Sequence, residues 1–184
     1  MRFSLYTFAA AALATLARAG SITIKNLDET TRSIVFTPSP GSPDIPTCIV
    51  PGFDSIVVQI PQSWVGNLYS CNEGAPNTAG ILAEFSFNSW AGITFFDAST
   101  IVNPTDYNGV KKVFPSAEPE NNSGCDTYET TCNNAYNQPD DTQTKSTLLQ
   151  DFIVTVGNPS AYKRRHTRDF VLGARTLSAA AVAQ

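Results

Sequence analysis

Histidine is almost missing: the 184-residue chain carries one, His166, close to its C-terminal end. A Ser-His-Asp or Cys-His nucleophile needs an imidazole base held in the fold, and residues 20–157 supply none. Histidine-based metal hydrolysis and histidine-dependent nuclease chemistry are excluded for the same reason. Basic side chains are scarce too. Between residues 20 and 160, Lys25, Arg32, Lys111, Lys112 and Lys145 stand against fifteen acidic residues, a balance of −10, although the whole chain is only at −4. A surface that acidic repels phosphate backbones, so nucleic acid is not an expected partner. No GxGxxG or GxxxxGK motif anchors a nucleotide, and no cofactor is expected. The four cysteines lack CxxC-like spacing and companion histidines, so no metal centre is expected from them. Long apolar runs are absent as well: the one near the N-terminus, between Arg2 and Arg18, is too short to span a bilayer.

That short run has a different meaning. MRFSLYTFAAAALATLARAG combines Arg2, an Ala- and Leu-rich segment and Ala17-Arg18-Ala19, the pattern of a secretory signal peptide over residues 1–19 with Gly20 as the mature start. Export to an oxidising compartment suits an even number of cysteines. Of the three connectivities, Cys48–Cys71 and Cys125–Cys132 are preferred, because each closes a short segment between expected strands. Asn121-Asn122-Ser123 makes Asn121 a glycosylation acceptor.

From residue 20 to 157 the pattern is strand and turn. SITIKNL alternates Ile22 and Ile24 with polar residues, SIVVQI aligns Ile56, Val58 and Ile60, and DFIVTVG aligns Phe152, Val154 and Val156. Turn formers separate such runs: SPGSP at 39–43, Pro51-Gly52, Gly74-Ala75-Pro76 and Asn103-Pro104. An all-β sandwich follows. After Pro159 a tail, residues 158–184 in all, is basic and then rich in Ala and Leu. Phe170, Ala174, Leu177 and Ala181 mark a weak helical stripe in an otherwise disordered segment, which can also be cut at Lys163-Arg164-Arg165.

With histidine gone, carboxylates are the chemistry on offer. Two acids flanking a scissile bond suffice for glycoside hydrolysis. LAEFSFN places Glu84 on a face with Ser86 and Asn88, opposite Phe85 and Phe87; Asp97 shares its parity with Ile93 and Phe95. Glu84 thus sits on the polar face of its strand and Asp97 on a mostly apolar side, and Asp126 and the pair Asp140-Asp141 are candidate acids as well. Trp64, Trp90, Tyr69, Tyr128 and Tyr136 can stack on sugar rings or pack in the sandwich.

Three segments resemble the thaumatin-like family: SITIKNLDETTRSIVF, then LAEFSFN with ITFFDASTIVNPTDYNG, and finally CNNAYNQPDDTQTKSTLLQDFIVTVG. The form is closest to small secreted fungal members that lack the disulfide-rich second domain. The resemblance implies a thaumatin-like antiparallel β-sandwich, or flattened barrel, with an acidic cleft. It matches Glu84 and Asp97 to cleft acids, which makes them the candidate catalytic pair, and Asp126 and Asp140 or Asp141 to later cleft acids; these, with Tyr136 from the sugar-stacking aromatics, are the expected substrate-binding residues. The cleft arginine of the family has no counterpart. These readings converge on a secreted, monomeric protein of the cell wall or extracellular surface that binds β-glucan or a surface partner. A weak endo-β-1,3-glucanase and a non-catalytic adhesin or effector are the alternatives.

Overall fold

The computed structural model describes residues 18–159, with side chains from Gly20 onward. The expected signal peptide falls almost wholly outside these residues, as do the cleavage cluster and the helical stripe of the tail. Eleven strands are described: β1 Arg18–Asn26, β2 Arg32–Pro38, β3 Cys48–Val50, β4 Ser55–Pro61, β5 Val65–Asn72 and β6 Leu82–Ser86, then β7 Thr94–Ser99, β8 Val110–Pro115, β9 Ser123–Gly124, β10 Lys145–Thr147 and β11 Asp151–Val156. They form a five-stranded sheet, β4-β1-β11-β8-β9, and a six-stranded sheet, β10-β7-β6-β5-β2-β3. The expected β-sandwich is there.

Two details differ from expectation. The sheets stay open rather than closing as a flattened barrel. The pairing is also not wholly antiparallel, because β1 and β11 run parallel, with Ile22 opposite Phe152 and Ile24 opposite Val154. A parallel pair needs a long connection, and here almost the entire domain serves as that connection.

The alternating runs do what their period dictates. Ile22, Ile24, Ile60, Phe152, Val154 and Val156 point between the sheets and are essentially sealed from solvent. From the other sheet Ala83, Phe85, Phe87, Phe96 and Ala98 answer them. Three phenylalanines converge on Phe152, whose ring meets Phe85, Phe87 and Phe96 edge-on at centroid distances of 5.3, 5.4 and 5.0 Å. Such edge-to-face contacts add to the burial of each ring. Trp64 is fully buried and donates its indole N–H to the Pro43 carbonyl at 3.0 Å, so it belongs to the core and not to a sugar platform.

One expected disulfide forms and one does not. Cys125 and Cys132 are joined, whereas Cys48 and Cys71 are both free thiols. The reason is register. Cys48 lies opposite Ile34 and packs against the inner core, while Cys71 lies opposite Ser33 and packs outside with Tyr69 and Leu82. With β2 between them and their side chains on opposite faces of one sheet, the two sulfurs cannot meet. The Asn121 sequon lies just before β9, and Asn121 Nδ2 donates to the Ser146 carbonyl at 3.1 Å.

A candidate acidic groove

The hairpin of β6 and β7 fixes the geometry. Phe85 faces Phe96 and Ala83 faces Ala98 on the core side, which leaves Glu84 directly opposite Asp97 on the outer side. Directly opposed residues of an antiparallel pair hold their Cβ atoms about 4.5–5.5 Å apart. The row continues across the sheet: Asn67 on β5 is opposite Glu84, and Thr37 on β2 is opposite Asn67. On the far side Thr144, just before β10, donates its hydroxyl to Asp97 Oδ2 at 3.4 Å and to the Tyr136 hydroxyl at 3.0 Å.

An open groove of about 240 Å³ runs over this row. It is lined by Asn67, Glu84, Ser86, Phe95, Asp97 and Thr144, with Ser39, Val65 and Gly66 at one side. No basic side chain lines it. The cation nearest in sequence, Lys145, is opposite Phe96 and so projects from the other face of its strand. Arg32 is far from the pair in the sheet and is spent on Asp28, at 2.6 Å.

Two carboxylates so placed cannot both be charged at little cost. At about 4–5 Å and an effective dielectric of ~20, two unit charges repel by about 3–4 kcal/mol. Asp97 is only 9% exposed, and its Oδ1 has no donor among the described residues. Burial, then the Glu84 charge and a hydrogen bond from the Glu84 carboxyl, push Asp97 from its ordinary 3.8 up to about 7, against the opposing pull of the Thr144 hydroxyl. Asp97 therefore keeps its proton up to near neutral pH.

The other candidate residues are scattered. Tyr136 reaches the pair through Thr144, and its backbone extends β7 through a bridge to Ser99. Asp141 accepts the N–H groups of Asn137 and Gln138 at 2.6 and 3.0 Å, the arrangement of a turn-stabilising side chain. Asp140 is exposed in the same loop. Asp126 pairs with Lys112 on the opposite sheet at 3.0 Å, away from the groove. Of the aromatics, Tyr69 and Tyr128 are buried, whereas Trp90 is 75% exposed on the β6–β7 connection. Asn67 and Thr144 escaped notice in the sequence because only long-range register brings them to the pair.

No family model matches the chain. It is 43% identical over 137 residues to the antigenic protein SchS21 of Stachybotrys chartarum, across 74% of this chain and 94% of that protein. Among solved structures, the protein elicitor MoHrip2 of Magnaporthe oryzae superposes with a TM-score of 0.58 at 16% identity, covering 75% of this chain and 98% of the elicitor. At that identity the likeness concerns the fold. These findings overturn the thaumatin-like assignment: neither the family models nor the relatives point to it. The segments that suggested it are alternating apolar strands joined by polar turns, a pattern that burying one face of a strand imposes whatever the descent. The chain belongs to the family of the Stachybotrys chartarum antigenic protein SchS21.

Proposed function

We propose that this is a secreted protein acting at the extracellular surface, where it binds a neutral hydroxylated polymer such as β-glucan through the groove over Glu84 and Asp97, without cleaving it. The observation that carries the reading is the pair itself: two opposed carboxyl groups beside the half-buried ring of Phe95 in an open, cation-free groove. Carboxyl oxygens accept hydrogen bonds from sugar hydroxyls, and an aromatic face packs against the apolar side of a sugar ring. An antigenic relative and an elicitor of the same fold accord with an extracellular role.

Binding rather than hydrolysis accords with relatives described as an antigen and an elicitor. A retaining glycosidase holds its carboxyl groups about 5–5.5 Å apart and an inverting one about 6.5–9.5 Å apart, to admit the scissile bond or a water. Turnover would require Glu84 and Asp97 to keep one of these separations around a bound sugar. Pull-down on insoluble β-1,3-glucan tests the reading: retention is expected for the wild type and loss for Glu84→Gln with Asp97→Asn. Absence of retention at any pH overturns it, and reducing-sugar release that disappears in the variants transfers the groove to the glucanase reading.

A protein partner is the second reading, and a separate observation favours it. Trp90 and Leu148 are 75% and 70% exposed. Gln150 ties their loops together by donating to the carbonyls of Gly92 and Leu148 at 3.2 and 3.3 Å. Rigid exposed apolar groups of this kind mark contact surfaces.

A further inference from the structure

We propose that β4 is the contact of a homodimer: two copies of this chain pair their β4 edges antiparallel about a two-fold axis, joining two five-stranded sheets into one of ten strands. The inference goes beyond glycan binding and takes the place of the expected monomer. An uncovered edge strand offers its backbone to other strands, and proteins blunt such edges with charge, brevity or covering loops. Three of the four sheet edges here are short, with two residues in β9 and three each in β3 and β10. The fourth is not. Ser55–Pro61 has seven residues and no charge, although acids outnumber bases by ten between residues 20 and 160. Among the described residues no strand pairs with the outer side of β4. Val57 is 60% exposed, and the core-facing Ile56 and Val58 are only partly buried.

The hydrogen bonds of β4 define the partner. Asn26 donates its N–H to the Asp54 carbonyl at 2.9 Å. In the β1–β4 register the backbone groups of Ile56, Val58 and Ile60 therefore face β1, and those of Val57 and Gln59 turn outward. The ends of the edge close themselves. Asp54 Oδ1 takes the Ser55 N–H at 2.7 Å, while Pro61 has no N–H and its carbonyl accepts from Trp64 at 3.3 Å. What stays on offer is one donor and one acceptor on each of Val57 and Gln59, symmetric about Val58. Isologous pairing needs a strand that complements itself, and this one does. Val57 opposite the partner's Gln59, and the reverse, exchange two hydrogen bonds per pair, and the pairing ends at each proline. Val58 then meets its own copy on the core-facing side. Asp54 falls opposite Gln62, about 27 Å along the strand from the other Asp54, so no acid faces an acid. A seam about 24 Å long buries less than the about 1,200–2,000 Å² of a standard interface, so the dimer is weak and reversible.

Analytical ultracentrifugation of the purified secreted protein from about 1 μM to about 1 mM tests this, with amide hydrogen exchange at both ends of the range. Expected is a mass that rises from one chain to two and stops there, with the Val57 and Gln59 amides protected only in concentrated solution. Val57→Lys with Gln59→Lys changes two exposed side chains and sets lysine against lysine across the seam. That variant, shown to be folded by circular dichroism, is expected to dimerise at least tenfold more weakly. Mixing it with Val57→Glu, Gln59→Glu restores a two-chain species. A mass of one chain throughout the range overturns the proposal. So does a dimer that the lysines leave intact, which moves the contact to another face such as that of Trp90 and Leu148. Protection of Val57 and Gln59 already in dilute solution also overturns it, because the chain's own residues 160–184 then occupy the edge. Growth beyond two chains rejects the two-fold pairing. Glucan pull-down of the lysine variant scores the glycan reading separately, so either idea can fail alone.

Discussion

At the scale of single residues, Asp97 carries the clearest consequence. Its carboxyl titrates at about 3.9 in an unfolded chain and near 7 in the fold. Between those values the folded protein holds a proton that the unfolded chain has released. The sign follows: stability fully present below pH ~4 falls as pH rises and is lost above about 7. The loss is about 4 kcal/mol at 1.36 kcal/mol per pH unit. Asp97→Asn removes it. In denaturant melts the variant is expected to exceed the wild type by about 4 kcal/mol at pH 8 and to match it near pH 4; equal pH profiles contradict a proton held by Asp97 near neutrality. Strand parity made Glu84 legible as an outward-facing acid. Asp97 stayed ambiguous, because its parity neighbours Ile93 and Phe95 are apolar. Only the pairing of β6 with β7 shows that Phe95 borders a groove.

Single elements were read with uneven success, and the cysteines show why. The loop from Cys125 to Cys132 is short enough for sequence to bring its ends together, and that bridge forms. Cys48 and Cys71 are also close in sequence, yet they fall on strands either side of β2, and the two-residue side-chain period sends them to opposite faces. A register cannot be read from one strand alone. The expected measurement is two thiols per chain titrated by Ellman's reagent in guanidinium without reductant, with none added after mild oxidation of the folded protein. Finding no thiols, or four, rejects the arrangement. In the native state the half-exposed Cys48 reacts before Cys71, which is buried and directs its thiol to the Thr78 carbonyl at 3.4 Å.

For the molecule as a whole, the fold class was written in the alternation of SITIKNL, SIVVQI and DFIVTVG, because burying one face of a strand imposes a period of two. The parallel partnership of β1 with β11 was not, since nothing local encodes which distant strand lies alongside. Descent is not legible for a related reason: short alternating segments report burial more than family, and the thaumatin-like likeness is of that kind. Phe152 shows how much rests on the closing strand, for it packs on three rings from the other sheet. Phe152→Ala is expected to cost about 3–5 kcal/mol in chemical unfolding, and a loss under 1 kcal/mol is incompatible with that packing.

The position of β11 also governs when the protein can exist. Residues 151–156 form the middle strand of the five-stranded sheet, hydrogen-bonded to β1 on one side and β8 on the other. A nascent chain emerging from the ribosome has neither neighbour satisfied until those six residues have cleared the exit tunnel. Through most of translation β1 and β8 present bare edges of the kind that recruit other strands. The five-stranded sheet is thus completed only at the end of synthesis, and a message truncated before codon 151 leaves it without its middle strand.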